Sequence, residues 1–287
     1  MESLALFTRM VILMAKLDEV ILEISSVCNL TCSICPVGKS RPKRFASLMR
    51  LDLINKILNE NPGLKAIYLD GWGEPLTHPQ LEDILKTINN LIPSCKIYIT
   101  TVADMLDQKI IDLLLKYNIY EIQFSLDPPS IYKSNRGVSY ADIKKNIQAF
   151  MDANDKKGKK IRTCIKSIVS EQSKPLTDGL VDEWKSLDRA ELIPAIKYDI
   201  VSARSTKCKE LDSKRVVVLS DGRVTCCRAD FRGGLLIGFA TKDKLEDIYD
   251  DKNPDMKKRR DSHNAGTYPV FCRKCTEYST AKAGKRF

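Results

Sequence analysis

Histidine is scarce in this chain: His78 and His263 are the only two in 287 residues, and neither has a metal-ligating partner at a suitable spacing. A histidine-built metal centre is therefore excluded, and His78, in "LTHP", is expected to cap the turn that follows it. Long apolar runs are missing as well. The first 15 residues contain "LALF" and "MVILMA", but Glu2 and Arg9 interrupt them and no small-residue cleavage site is evident, so neither a signal peptide nor a membrane span is expected. The chain has no internal repeat and no low-complexity tract. Aromatic residues make up only 7% of it and are not interleaved with its basic runs as base-stacking platforms require, which leaves nucleic acid a minor hypothesis.

Cysteine and positive charge are what the sequence has in quantity. Its ten cysteines fall into motif-like groups, which favours metal binding in a reducing cytoplasm over disulfides. With 43% hydrophobic and 29% charged residues, the chain suits one large domain, or one domain with a small appendage. The net charge of +10 comes largely from "KSRPKR" (39–44), "KKGKK" (156–160), "KKRR" (257–260) and the tail "KAGKRF". Such runs can attract an acidic peptide, a phosphorylated small molecule or nucleic acid, but they more often cover solvated helix faces, and that reading is favoured.

Hydrophobic periodicity switches repeatedly between strand-like and helix-like through the first two thirds of the chain. Strands are expected at Val20–Ser25, Ala66–Leu69, Lys96–Thr100, Glu121–Ser125, Ile161–Ile168 and Ala195–Val201. Five helical stripes lie between them: Leu53, Ile54, Ile57 and Leu58; Leu81, Ile84, Leu85 and Ile88; Ile110, Ile111, Leu114 and Leu115; Tyr140, Ile143, Ile147 and Phe150; and Leu176, Leu180, Val181, Trp184 and Leu187. This order predicts an α/β fold, a partial (β/α)6 parallel barrel, with chemistry collected in the loops at the carboxyl ends of the strands. From about Ala203 the pattern becomes a hairpin, "RVVVLSDGRVTCC", turning at Asp221-Gly222, then a glycine-rich connection and a short helix around Leu245–Tyr249. So small a unit calls for a metal staple.

Directly after the first strand, Cys28, Cys32 and Cys35 form a CxxxCxxC group. Three thiolates on a four-iron cluster leave one iron open to an exchangeable ligand. A closed zinc site needs a fourth protein ligand, and no Cys or His lies nearby. "GWGEP", Gly71 to Pro75, follows the second strand, with glycines where a ligand can lie against backbone. Together these residues resemble the radical S-adenosylmethionine (SAM) superfamily, with Gly71, Trp72, Gly73 and Glu74 standing for its GGE motif. The resemblance implies that the open iron is chelated by SAM, and that Glu74 or neighbouring carbonyls accept hydrogen bonds from the SAM ammonium group. It also implies that Ser125 and Arg136 hold the SAM ribose or carboxylate. Thr101 matches the family's Thr-Asn-Gly turn, whereas Val102 and Ala103 do not.

Cys208, Cys227, Cys272 and Cys275 form a second set, sufficient for another [4Fe-4S] cluster; zinc is the alternative. Thirteen residues intervene between Cys208 and Gly222 and four between Gly222 and Cys227, a spacing that favours Cys227 over the adjacent Cys226. This set resembles the twitch form of the SPASM extension. The expected organisation is an N-terminal segment (1–17), the barrel (18–202), and the auxiliary-cluster unit with its basic tail (203–287). The resemblance implies a cytoplasmic radical SAM oxidoreductase that makes a 5′-deoxyadenosyl radical, oxidises a polar small molecule or a ribosomally made peptide, and draws electrons from a flavodoxin or ferredoxin. An epimerase using Cys164 or Cys226 as hydrogen donor, and a non-enzymatic zinc or iron-sulfur protein, are the alternatives. Cys95 and Cys164 fit neither cysteine set and are expected to be small core residues.

Overall fold

The computed structural model describes residues 17–35, 46–169, 173–194, 207–230, 233–273 and 275. The basic run at 39–44, the strand expected at 195–201 and the basic tail lie outside them. Six parallel strands, β1 (Glu19–Leu22), β2 (Ala66–Leu69), β3 (Lys96–Thr101), β4 (Glu121–Ser125), β5 (Arg162–Val169) and β6 (Arg189–Pro194), pair in sequence order. The strand beside β5 is thus "RAELIP", ahead of the expected position.

The helices α1 (Leu51–Glu60), α2 (Leu81–Leu91), α3 (Gln108–Lys116), α5 (Tyr140–Lys156) and α6 (Lys174–Glu183) follow the predicted stripes. Leu53, Ile54, Ile57 and Leu58 of α1 and Leu81, Ile84, Leu85 and Ile88 of α2 are all buried, each such side chain contributing about 1.5–3 kcal/mol. Leu176 is the exception: it stays 38% exposed while Leu180, Trp184 and Leu187 pack. Asp107 caps α3 through the Ile110 N–H at 2.8 Å. An additional helix, α4 (Pro129–Arg136), for which the sequence offers no apolar stripe, follows β4; only Tyr132 and Arg136, one turn apart, are buried in it.

The outer face of the sheet, with Val20, Leu22, Ile67, Ile99, Ile122 and Phe124, packs under the helices in the main core. The inner face is mixed: Ile21, Val217 and Leu219 form a small apolar cluster with Tyr68 packed against it, and beyond it the strands turn polar side chains inward. This alternation departs from the wholly apolar strands of a sheet buried on both faces.

The C-terminal unit continues the same sheet. Strand β7 (Arg215–Val218) pairs in parallel with β1, Glu19 opposite Arg215 and Leu22 opposite Val218. It then turns at Gly222, φ 84°, into antiparallel β8 (Arg223–Thr225), which pairs with β9 (Leu236–Phe239). Helices α7 (Leu245–Tyr249), α8 (Pro254–Asn264) and α9 (Val270–Arg273) close the unit. The run at 257–260 is only in part the solvated face expected. Lys257 pairs with exposed Asp261, but Arg260 turns inward to the carbonyls of Leu211 and Tyr249.

Candidate active site

Three strand-end loops meet where the cysteine motif lies. The loop after β1 carries Cys28, Cys32 and Cys35, and its CxxC half closes with the Cys35 N–H donating to the Cys32 carbonyl at 3.2 Å. Ser33 N–H donates to Asn135 O at 2.8 Å and Ser33 Oγ to Ser134 O at 3.1 Å, which fastens the loop to the end of α4. Leu30, Cys32 and Val102 form a small apolar cluster with Cys28 and Cys35 packed against it. Asn29 bonds Asp104 from the opposite side.

The glycine loop after β2 sits on this one. Glu74 N–H donates to Val27 O at 2.8 Å, and a Cβ on Gly73 would lie 2.2 Å from Ser25 O and 2.6 Å from Val27 O. Only glycine allows the two backbones to approach so closely. The Glu74 carboxylate is turned inward, accepting from Leu76 N–H at 3.2 Å and from Val102 N–H at 3.0 Å. Burial pushes this carboxyl up to about 7 against those bonds and one from Thr101. Its side chain therefore braces the β2 loop to the β3 loop, which leaves the neighbouring backbone to meet a ligand. In the β3 loop Ala103 takes the left-handed conformation, φ 66°, which is costly for a residue that carries a Cβ; Thr101 Oγ1 accepts its N–H at 3.0 Å.

Arg136 lies close to the cysteine loop with its guanidinium engaged by protein. Its Nε donates to Asp127 Oδ2 at 2.7 Å, while the Cys32 thiol faces the Arg136 carbonyl at 4.0 Å; burial raises that thiol, with the Arg136 charge opposing. Ser125 stands half-buried at the end of β4. His78 does what its sequence context predicts: Nδ1 accepts from Gln80 N–H at 3.1 Å and Nε2 meets Met49 O at 3.0 Å.

Inside the barrel, sequence reasoning missed a ladder of polar side chains that crosses the strands. Arg189 forms a fork on Glu121 at 2.6 and 2.8 Å, and Gln123 donates to Glu121 at 2.9 Å. Thr100 donates to Gln123 at 3.1 Å. Lys166 then donates to Thr100 at 3.3 Å and to Asp70 Oδ2 at 2.7 Å, and Asp70 Oδ1 accepts the Gly71 N–H at 2.8 Å. Burial alone would raise the Asp70 carboxyl, but the Lys166 charge and these hydrogen bonds hold it below its ordinary value. The i, i+2 polar alternation of Glu121, Gln123 and Ser125 was the available signal. Cys164 is a buried core residue as expected, and its pairing with Gln123 puts it on the inner face. It is wholly buried, and burial pushes its thiol up to about 12 with Arg189 opposing. Cys95 is a core residue as expected.

The second cysteine set converges on one cavity. Cys208, Cys226, Cys227, Cys272 and Cys275 all line it, although Cys208 stands at the start of the unit and the CxxC pair at its end. Cys275 N–H donates to Cys272 O at 3.2 Å, the same closure seen at Cys35. Asp230 orders the connection after Cys227 by accepting from Gly234 N–H at 2.8 Å, Leu235 N–H at 2.7 Å and Thr225 Oγ1 at 3.0 Å. None of the ten cysteines is joined in a disulfide. Among the described residues no three His, Cys, Asp or Glu side chains are grouped closely enough to hold a single metal ion. A four-iron cube is wider and takes a thiolate at each of its separate corners, so a cavity ringed by cysteines fits it.

Parallel barrel, three-cysteine loop and cysteine-ringed second cavity together define a radical SAM enzyme with an auxiliary cluster unit. Residues 22–166 match the radical SAM superfamily, and residues 208–276 match the SPASM iron-sulfur cluster-binding domain; the chain belongs to the radical SAM superfamily. These domains imply a SAM-binding [4Fe-4S] cluster and an auxiliary one.

BtrN, solved with AdoMet and 2-DOIA, is similar with a TM-score of 0.59 and 19% identity over 94% of this chain and 97% of that one. SuiB from Streptococcus suis, solved with S-adenosylmethionine, is similar with a TM-score of 0.67 and 15% identity over 94% of this chain and 73% of that one. The tungsten-containing aldehyde ferredoxin oxidoreductase cofactor-modifying protein of Pyrococcus furiosus is 32% identical over 109 residues, 37% of this chain and 30% of that protein. The match thus spans under a third of that relative. Among the described residues no helix is long and apolar enough to cross a membrane.

Proposed function

We propose that this protein oxidises a polar small molecule by removing a hydrogen atom from one of its C–H bonds, with Cys28, Cys32 and Cys35 holding the SAM-binding cluster. Cys208, Cys227, Cys272 and Cys275 hold the auxiliary cluster in this reading. Bound SAM supplies the 5′-deoxyadenosyl radical, and the chain's own residues position the substrate and exclude quenchers. The observation that carries the reading is the inner-face ladder ending at Lys166, Asp70 and Gly71, which brings a charged, hydrogen-bonding wall to the edge of the glycine loop. Lys166 uses two of its three N–H donors within the ladder, and the third serves a substrate hydroxyl or carbonyl.

Lys166→Met should raise KM by tenfold or more, since a hydrogen bond from a charged donor is worth about 1.5–3 kcal/mol. Steady-state kinetics with the substrate checks this, and an unchanged KM removes Lys166 from substrate binding. A ribosomally made peptide is the other substrate class; turnover of a peptide and of no small molecule would select it.

Oxidation and epimerisation share the first abstraction and part when the carbon radical is quenched. Oxidation gives a product lighter by two hydrogens, with no solvent deuterium at that carbon. An epimerase needs a thiol that touches the substrate, and Cys164, the candidate on the inner face, has no exposed surface. Mass spectrometry of products formed in deuterium oxide decides between them: a product of unchanged hydrogen count with one deuterium at an inverted centre, lost in Cys164→Ala or Cys226→Ala, would overturn the oxidoreductase reading.

A further inference from the structure

The cavity ringed by the second cysteine set has a basic side. Arg259 and His263, one turn apart on α8, both line it. His263 is buried at 4% exposure, and its Nδ1 accepts the Cys208 N–H at 3.4 Å, so α8 is tied to the strand-proximal end of the cysteine set. Arg259 is different. Its Nε is buried and among the described residues has no hydrogen-bond partner. A buried, unpaired guanidinium N–H loses about 1–3 kcal/mol or more if nothing accepts it, and the rest of the lining includes Leu211, Leu235 and Phe271, none of which has a side-chain acceptor. The available acceptors are sulfur. Arg259 and all five cysteines line the same cavity, which places the guanidinium within reach of the thiols.

We propose that Arg259 donates its Nε–H to a sulfur of the auxiliary [4Fe-4S] cluster and raises the cluster's reduction potential. Reduction adds one negative charge inside a cavity walled by apolar side chains, where charge is poorly screened. A fixed cation and an N–H donor favour the reduced form over the oxidised one, and hydrogen bonds to cluster sulfurs and net charge are among the quantities that set such potentials. Arg259 is thus a positioning and tuning residue, acting through the cluster and not on the substrate. The inference rests on the auxiliary-cluster assignment above and assigns a function to part of a basic run that composition alone places on a solvated surface. Raising the potential makes this cluster a better acceptor for the electron released when a substrate radical is oxidised.

The test uses the full chain with Cys28, Cys32 and Cys35 changed to Ala, so that only the auxiliary cluster contributes signal. Its midpoint is read by electron paramagnetic resonance during a redox titration, with iron content measured on the same sample. Arg259→Gln should lower the midpoint, with the reduced-to-oxidised ratio at fixed potential falling by at least tenfold, which is about 59 mV for one electron. Arg259→Lys keeps the charge without the rigid planar fork and should lower it less. If the Gln variant does not load iron, the Lys variant carries the test: a midpoint below that of the parent supports the proposal, and one equal or higher sinks it. An unchanged midpoint in a fully loaded Gln variant sinks it as well. Absence of iron in the parent itself would instead remove the cluster assignment on which the proposal stands.

Discussion

Replacing Cys28, Cys32 and Cys35 together by alanine should abolish formation of 5′-deoxyadenosine from SAM in dithionite-reduced protein, while leaving about four of roughly eight irons per chain. The two cysteine sets are built on different ends of the chain and close their CxxC turns independently. Cys35 N–H bonds Cys32 O, and Cys275 N–H bonds Cys272 O, each at 3.2 Å. Loss of the first set leaves the cavity around Cys208, Cys227, Cys272 and Cys275 intact, so iron falls by about half rather than to zero. The wild type should form 5′-deoxyadenosine slowly even without substrate, because the open iron is reached by SAM alone. Anaerobic reconstitution, iron analysis and chromatography of the nucleoside products measure both quantities. Equal 5′-deoxyadenosine from variant and wild type would remove these cysteines from the chemistry. Zinc in place of iron at the second set after anaerobic purification would defeat the auxiliary-cluster assignment.

The second large effect is expected at Gly73. An alanine Cβ there meets three backbone atoms, Ser25 O at 2.2 Å, Val27 O at 2.6 Å and Ser26 C at 2.7 Å, and none of these can rotate away as a side-chain end can. The glycine loop must then lift from the cysteine loop, breaking the Glu74 N–H bond to Val27 O and pulling on the Glu74 brace to Val102. Gly73→Ala should cost about 1–3 kcal/mol of stability, the usual range for overpacking, and reduce SAM affinity by tenfold or more. Gly71→Ala is the informative companion. Its Cβ meets Glu23 Cγ at 2.6 Å, Cβ at 2.8 Å and Cα at 3.3 Å; Cγ can rotate away at the expense of the Glu23 bonds to Trp72 N–H and Ser220, and a smaller backbone shift relieves the rest. It should lose less than Gly73→Ala in both thermal unfolding and calorimetric SAM titration. A Gly73→Ala protein that binds SAM as the wild type does would show that the two loops need not touch for the site to form.

Local patterns carried much of this architecture into the sequence. β2 and β4 occupy the spans that alternation predicts, the stripes of α1 and α2 are buried side chain for side chain, and the Asp221-Gly222 turn has the positive φ at Gly222 that its composition implies. What escaped has a common cause: the partner lies far away in the chain. Helix α4 buries Tyr132 and Arg136 alone, so "PSIYKSNR" offers no apolar stripe to see. β6, "RAELIP", reads as polar because Arg189 faces Glu121 across the inner face, 68 positions away. Helix α8 is charged around its whole circumference, and nothing local separates Arg259 and Arg260, which face protein, from Lys257, which is exposed. The two cysteine sets stood out because the CxxxCxxC and CxxC spacings are local. The inner-face ladder did not, because it is assembled from one or two polar residues each on four strands and a loop.

The parallel pairing of β7 with β1 sets an order of events during synthesis. β1 leaves the ribosome well before the strand that covers its outer edge, which begins 196 positions later at Arg215. At about 5–20 residues per second, the edge stays unpaired for roughly 10–40 s after β1 emerges. An open, apolar strand edge invites pairing with other chains. Glu19, held at the rim of β1 until Arg215 arrives to pair with it at 3.2 Å, places a charge on that edge during the interval. The nascent chain thus carries its own deterrent to aggregation, and the late strand neutralises it on docking.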